Sequence, residues 1–186
     1  TYENYSTLLK LLFPLKIVPT GKIIEKMRMI KDETELYCIF KAAEIADKAF
    51  DYILSYIKPG VSELDVAVEL EYYMKKCGGR SVSFETIVAS GRRSSMPHGT
   101  ATRKKVEFGD TVILDFGCIY NEYCSDITRT IFLGNPDKEM FKLYEVVLNA
   151  QKNALEGIRP GMLSCQADAL ARNVINNNGY GKFFGH

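Results

Sequence analysis

The sequence predicts an α+β domain made of two related α/β halves, the second of them truncated. Capped helices with apolar residues at helical spacing precede short segments rich in β-branched and aromatic residues. A helix, Pro-Gly turn, helix pattern also occurs twice, around Pro59-Gly60 and again around Pro160-Gly161. Strands are expected after the first copy, whereas the sequence stops at His186, where the strands of the second copy would begin.

Composition narrows the class of protein. The 186 residues are 46% hydrophobic, which is enough for a soluble globular domain with its own core. The 24 Lys and Arg residues nearly cancel the 23 Asp and Glu residues, so nucleic acid is not an expected partner. Neither a secretory leader nor a membrane-length apolar run is recognisable, and the five scattered cysteines contain no CxxC pair. We therefore expect a cytoplasmic protein with reduced thiols and no membrane partner.

The chain is expected to divide near residue 24. Residues 1–24 are apolar and aromatic but are interrupted by Pro14, Pro19 and Gly21, which is typical of a linker or of the remnant of a preceding N-terminal domain. Residues 25–186 carry the regular patterns and are expected to form the main domain.

Two helices are predicted at the start of the main domain. Each begins with a capping residue that is followed three positions later by an acidic residue, and each then continues with apolar residues at helical spacing. The caps, acids and ends are Asp32, Glu35 and Pro59-Gly60 for the first helix, and Ser62, Asp65 and Lys76 for the second.

Strands and a second helical pair are predicted next. The strand-like segments are Glu85–Ala89, Thr111–Phe116 and Tyr123–Leu133. The second helical pair is expected over Ala150–Ile158 and over Ser164–Asn178, with Ser164 as the N-cap.

Two acidic side chains flank a predicted hairpin. If the chain turns symmetrically about Tyr120-Asn121, Asp115 and Asp126 become direct cross-strand partners, with Cβ atoms about 4.5–5.5 Å apart. Two like charges at that distance repel unless a cation lies between them, and carboxylate oxygens suit divalent ions such as Mn²⁺. Alternatively, both are ordinary turn-flanking acids, because a register shift of one residue would place them on opposite faces.

The residues around these acids bear on the choice. The apolar residues that precede Asp115 indicate a buried strand, where an unpaired carboxylate would be costly, and this favours the metal site. Thr128 and Thr130 share the face of Asp126 by strand alternation. They are equally well explained as hydrogen-bonding supports of a metal site and as β-branched strand formers.

The sequence contains two histidines. His98 lies in the loop Met96-Pro97-His98-Gly99, where a neutral imidazole could bond to a substrate carbonyl or pass a proton, or could simply be exposed. His186 is the last residue and follows Phe184-Gly185.

Four segments, taken together, resemble a known family. They are Ser83-Phe84-Glu85-Thr86-Ile87-Val88-Ala89-Ser90-Gly91, Pro97-His98-Gly99, Leu114-Asp115-Phe116-Gly117 and Cys124-Ser125-Asp126-Ile127-Thr128-Arg129-Thr130. In order and spacing they resemble the Xaa-Pro aminopeptidase and Xaa-Pro dipeptidase (prolidase) branch of the pita-bread metallopeptidases. The resemblance implies the pita-bread fold and makes residues 25–186 a partial catalytic domain.

The resemblance also implies roles for individual residues. Asp115 would hold one of two divalent metal ions and Asp126 would bridge both, with Mn²⁺ the expected metal and Co²⁺, Zn²⁺ or Fe²⁺ as alternatives. His98 would stabilise the reacting amide, and His186 would contact the substrate, a proline-containing peptide. A homodimer is implied as well. Further ligands would lie beyond His186, so the segment by itself is expected to be inactive, because two aspartates are too few to hold a dinuclear site.

Other functions on the same fold stay open. A metal-free peptide-binding module is disfavoured by the joint presence of Asp115, Asp126 and His98. A creatinase-like hydrolase lacks the metal pair, so the two aspartates disfavour it. A methionine aminopeptidase is disfavoured by the Ser-Phe-Glu-Thr and Met-Pro-His-Gly segments.

Overall fold

A computed structural model describes residues 1–18 and 20–185 as a mixed α/β chain. The helices and strands are α1 Tyr2–Leu11, α2 Ile23–Met29, α3 Glu33–Tyr56, α4 Glu63–Lys76, β1 Ser81–Val82, β2 Ile87–Ser90, β3 Thr111–Phe116, β4 Cys118–Tyr120, β5 Tyr123–Cys124, β6 Ile127–Phe132, α5 Lys138–Gly157 and α6 Ser164–Asn177. Short 3₁₀ helices span Gly91–Ser95 and Gly181–Phe183.

The strands form two small antiparallel sheets, in the orders β1-β4-β5 and β2-β3-β6. In the second sheet the central strand β3 alternates between two faces. Val112, Leu114 and Phe116 are buried on one face, and Ile113 and Asp115 are partly exposed on the other. The apolar face therefore belongs to the core, and the opposite face carries Asp115.

Helices α3 and α4 cover the apolar face of this sheet. The side of α3 that meets the sheet is built from small residues, among them Ala42, Ala46 and Ala49, which are fully buried. Small side chains allow close approach of the helix, and α4 adds Leu70 and Met74 to the same cluster. This cluster is the main core of the chain.

Both predicted helix starts are confirmed. Asp32 accepts a hydrogen bond from the Glu35 amide at 2.9 Å, and the Glu35 carboxylate accepts one from the Asp32 amide at 2.7 Å. Ser62 and Asp65 form the same reciprocal arrangement at the start of α4. Each box satisfies backbone amides that the first helical turn leaves without partners.

The repeat that predicted two related halves is also present in the structure. The amide of Ile57 at the end of α3 and that of Ile158 at the end of α5 each donate to the carbonyl four residues earlier. Gly60 and Gly161 then follow with φ of +94° and +88°, in the region that favours glycine. Helices α5 and α6 pack against each other around Val146, Ala150 and Ile175, which form a second, smaller core.

Several predicted boundaries are wrong. Helix α5 begins at Lys138 behind the N-cap Asp137, well before Ala150, because its first turns are exposed and mostly polar and show little apolar periodicity. Residue Ser164 is the first residue of α6, not its cap, which is Leu163. The short strands β1 and β4 were not predicted.

Residues 1–24 contain α1 and the start of α2, and neither helix buries a residue. Within the described part of the chain, no helix combines the length and apolarity needed to cross a bilayer.

Candidate metal-binding site

The hairpin that carries the two aspartates turns at Asn121-Glu122. Both residues have positive φ, 45° and 69°, as a two-residue hairpin turn of the primed type requires. Tyr120 consequently pairs with Tyr123, and Asp115 pairs with Thr128. The prediction that Asp115 and Asp126 are direct partners is therefore wrong by two residues, because Glu122 stands where such turns usually have glycine and the sequence hid the turn.

A shift of two residues leaves the side chains on the same face of the sheet, since strand alternation has a period of two. Asp115 and Asp126 become diagonal neighbours, for which the usual separation is roughly 7–8 Å. The electrostatics agree with this placement, because the charge of Asp126 contributes to raising the pKa of the Asp115 carboxyl. The two acids thus lie close together, although not in the predicted register.

The environment of Asp115 is partly desolvated. Burial raises the pKa of its carboxyl above the usual range, and the negative charge of Asp126 raises it further. A hydrogen bond from the Thr128 hydroxyl to Asp115 Oδ1, at 3.0 Å, and the positive charge of His98 act in the opposite direction. A half-buried carboxylate next to a second one is a position where a cation would be strongly favoured.

Tight packing between the two strands holds the backbone next to Asp126. The Cys118 amide donates to Ser125 Oγ at 3.1 Å, and the Ser125 amide donates to the Cys118 carbonyl at 2.9 Å. At Gly117, an added Cβ would lie 2.7 Å from the Ser125 carbonyl carbon. Only glycine therefore allows the chain between β3 and β4 to approach the residue that precedes Asp126.

The loop of His98 lies beside the same sheet. Ile87 in β2 pairs with Asp115 on one side and forms an isolated bridge with Thr100 on the other. Inside the loop, the Gly99 amide donates to the Met96 carbonyl and the Thr100 amide to the His98 carbonyl, at 3.1 and 2.9 Å. These contacts place the exposed His98 close enough to affect the pKa of Asp115.

The donor set fits part of a metal site. Carboxylate oxygens suit hard and borderline divalent ions, and the ion pairs found among residues 1–18 and 20–185 do not involve Asp115 or Asp126. The same residues contain no group of three or more His, Cys, Asp or Glu side chains that could hold an ion. His186, a predicted site residue, lies outside the described residues.

Two cavities border the site. One, of about 540 Å³, is lined by Asp126 and Thr128 together with Asp47 of α3 and Gln151 of α5. The other, of about 900 Å³, lies between the outer face of the β2-β3-β6 sheet and α5, and it is lined mainly by apolar side chains such as Ile113. The face that carries Asp115 is therefore accessible, with polar and apolar space beside it.

Thr128 offers a direct test of how Asp115 is oriented. Thr128→Val keeps the shape of the side chain but removes the hydroxyl that donates to Asp115, and loss of such an outer partner is expected to weaken divalent-metal affinity about 10- to 100-fold. Thr128→Ser keeps the hydroxyl and should bind metal almost as well as the parent. Titration of Mn²⁺ into the complete protein by calorimetry measures the difference, and equal affinity of the Val and Ser variants would contradict the role.

Sequence reasoning missed one residue of this region. Glu63 is completely buried and hydrogen-bonded to both ends of the segment that contains His98. An acid in the first turn of a helix is ordinarily explained by the helix dipole, so the sequence contained no signal that it is buried.

Comparison with known proteins identifies the family. The model of metallopeptidase family M24 matches residues 37–186. A Xaa-Pro dipeptidase of Pyrococcus horikoshii is 47% identical over 164 residues, which is 88% of this chain and 47% of that protein.

Solved structures agree with this match. A Xaa-Pro dipeptidase from Bacillus anthracis superposes with a TM-score of 0.95 at 49% identity, over 100% of this chain and 52% of that one. An X-Pro aminopeptidase from Thermotoga maritima gives 0.91 at 40% identity, over 100% and 53%. The chain spans about half the length of the relatives it matches, and it has the mixed α/β pita-bread fold that its motifs imply. It belongs to metallopeptidase family M24.

Proposed function

We propose that the complete protein containing this chain is a metal-dependent exopeptidase that hydrolyses the Xaa-Pro bond at the N-terminus of dipeptides or longer peptides. The observation that carries the proposal is the grouping of Asp115, Asp126 and His98 at one accessible face of the β2-β3-β6 sheet. The relatives named Xaa-Pro dipeptidase and X-Pro aminopeptidase support it.

Asp115 and Asp126 would hold two divalent ions, with Mn²⁺ the expected metal and Co²⁺, Zn²⁺ or Fe²⁺ as alternatives. When bound, such ions supply Lewis-acid chemistry that polarises the scissile carbonyl and makes water a better nucleophile. The hydroxyl of Thr128 orients the Asp115 carboxylate for this task. The remaining ligands would come from outside residues 1–186, and for this reason the segment by itself is proposed to be inactive.

The histidines would act on the substrate. His98, held on its loop next to Asp115, donates a hydrogen bond to the reacting amide and so stabilises the charge that develops on it. His186 is proposed to contact the substrate from the other side. The apolar cavity beside Ile113 offers space for a proline-containing peptide.

The remaining proposals concern the whole protein. Residues 1–24 are assigned to an N-terminal domain or linker, and residues 25–186 to part of the catalytic domain. We propose a cytoplasmic homodimer without nucleic-acid or membrane partners, in accordance with the near-neutral charge of the chain.

The experiment that tests the function is a substrate panel. The complete protein, loaded with Mn²⁺ or Co²⁺, should release the N-terminal residue from Ala-Pro and Ala-Pro-Ala, whereas Ala-Ala and Ala-Ala-Ala should react at least roughly 100-fold more slowly. Residues 1–186 should show no turnover in parallel assays. A metal-loaded complete protein without Xaa-Pro turnover would refute the assignment, and rapid turnover by residues 1–186 would refute the inactivity of the segment.

A further inference from the structure

The first residue of α4, Glu63, has a side chain with no exposed surface. One carboxylate oxygen, Oε1, accepts hydrogen bonds from the Ser90 amide and the Ser90 hydroxyl, both at 2.8 Å. The other, Oε2, accepts from Arg93 Nε at 3.1 Å and from the amide and hydroxyl of Thr102 at 3.2 and 2.7 Å. Five donors from three residues thus converge on one carboxylate.

Such a group is costly to bury unless its charge is compensated. Burial acts to raise the pKa of Glu63, but the hydrogen bonds from Thr102 and Ser90 and the charge of Arg93 outweigh it, so that the pKa lies below its usual range. The side chain is therefore an anion at neutral pH. It offers only acceptors, and every one of its five neighbours is a donor.

The donors come from the two ends and the interior of one segment. Ser90 ends β2, Thr102 follows the loop, and the loop between them contains His98. Glu63 therefore ties both ends of the segment to the same point on α4. Arg93 extends the tie inward, because its guanidinium donates to the Thr100 carbonyl at 2.6 Å while its Nε donates to Glu63.

A second group of contacts supports the same end of the segment. Lys104 Nζ donates to Ser90 Oγ at 2.9 Å and to Asp110 Oδ2 at 2.8 Å. The hydroxyl of Ser90 is thus shared between Lys104 and Glu63, and the Thr102 hydroxyl accepts from the Lys104 amide at 3.2 Å. The network is closed around Glu63, with α4 as its rigid base.

We infer that Glu63 is a positioning residue for His98: by holding Ser90, Arg93 and Thr102 on one buried carboxylate, it sets the distance between the His98 loop and the strand of Asp115. This inference rests on the proposed function for its catalytic consequence, although the tie itself does not depend on it. Glu63 does not belong to the metal or substrate contacts of the site, and it acts only through the loop.

Glu63→Gln is the sharpest substitution because it keeps the shape of the side chain. Glutamine has one acceptor oxygen and one NH₂ donor. Each Glu63 oxygen faces a backbone amide, of Ser90 on one side and of Thr102 on the other, so either orientation of the amide places a donor against a fixed donor. One end of the segment must then move away from α4.

The first measurement is steady-state hydrolysis of Ala-Pro by the metal-loaded complete protein, well below its unfolding temperature. Glu63→Gln should lower kcat roughly 10- to 100-fold with KM changed less than about twofold, because a displaced catalytic group weakens the transition state more than it weakens substrate binding. Thr102→Val should act in the same direction and Thr102→Ser should not. Glu69→Gln, which removes an acid from the same helix that bonds only to Tyr52, is the matched control and should keep the parent kcat.

A merely structural role is separated by a double-mutant cycle. If Glu63 acts through His98, then Glu63→Gln should change kcat little further in a His98→Ala background, whereas independent effects would multiply. Multiplying effects, or a Glu63→Gln enzyme with parental kcat, would overturn the inference.

The tie itself is measured without any turnover, by hydrogen exchange and mass spectrometry. Glu63→Gln should speed amide exchange in a peptide covering residues 91–101 at least tenfold and leave a peptide from α5 unchanged. Unchanged exchange in 91–101 would overturn the inference whether or not the protein is a peptidase. Faster exchange in a protein that shows no Xaa-Pro hydrolysis would instead uphold the tie and refute the proposed function alone.

Discussion

Replacement of Asp115 by Asn should reduce kcat/KM of the complete protein on Ala-Pro by more than roughly 100-fold, which is the upper end for loss of an outer-shell partner. The asparagine amide keeps the size of the side chain and one oxygen, but it removes the negative charge that a divalent ion requires. Asp115 is the more enclosed of the two acids, next to Asp126 and hydrogen-bonded by Thr128, so no solvent-exposed neighbour can replace it.

Metal content provides the direct readout for this substitution. After dialysis against Mn²⁺ and removal of free ions, elemental analysis should find fewer bound ions per chain in Asp115→Asn than in the parent. Asp137→Asn is a suitable control, since Asp137 only caps α5 and asparagine caps helices equally well. Parental metal content and activity in Asp115→Asn would show that the two aspartates do not form the metal site.

Replacement of Gly117 by Ala should destabilise the fold by at least about 3 kcal/mol, a large share of the roughly 5–15 kcal/mol typical of a domain. The new Cβ would overlap the carbonyl oxygen of Ser125 and lie 2.7 Å from its carbonyl carbon. Because both obstacles are backbone atoms, no change of side-chain rotamer can relieve the overlap. The strands must separate, and the reciprocal bonds between Cys118 and Ser125 must break.

Urea unfolding followed by circular dichroism measures this loss. Gly185→Ala adds the same methyl group where nothing lies within 4 Å and should change stability by less than about 0.5 kcal/mol. Gly60→Ala also meets no atom, but its φ is +94°, so it isolates the backbone cost and should lose about 1 kcal/mol. A Gly117→Ala protein as stable as Gly185→Ala would mean that the strands at this point are not tightly packed.

Local signals made the helices predictable. The reciprocal bonds of Asp32 with Glu35 and of Ser62 with Asp65 join residues three positions apart, so their pattern can be seen in the sequence. The strand β3 could be predicted because its apolar residues are continuous. The aspartates and His98 could be named because their motifs occur in a recognisable order.

The features that were not predictable depend on longer-range or unusual geometry. The register of the hairpin rests on positive φ at Asn121 and Glu122, a conformation that a glutamate seldom adopts. The burial of Glu63 depends on donors 27 and 39 positions away, and the sequence does not show that these residues meet. Where an interaction joins distant segments, only the folded chain displays it.

The two separate hydrophobic clusters have a consequence for how the chain unfolds. The α5–α6 pair keeps its own small core around Val146, Ala150 and Ile175, and the cavity of about 900 Å³ lies between α5 and the sheet that completes the larger core. With so little apolar surface shared between them, the clusters behave as distinct cooperative units. The helical pair can open at a lower free energy than global denaturation, while the strands that bear the acidic side chains stay intact.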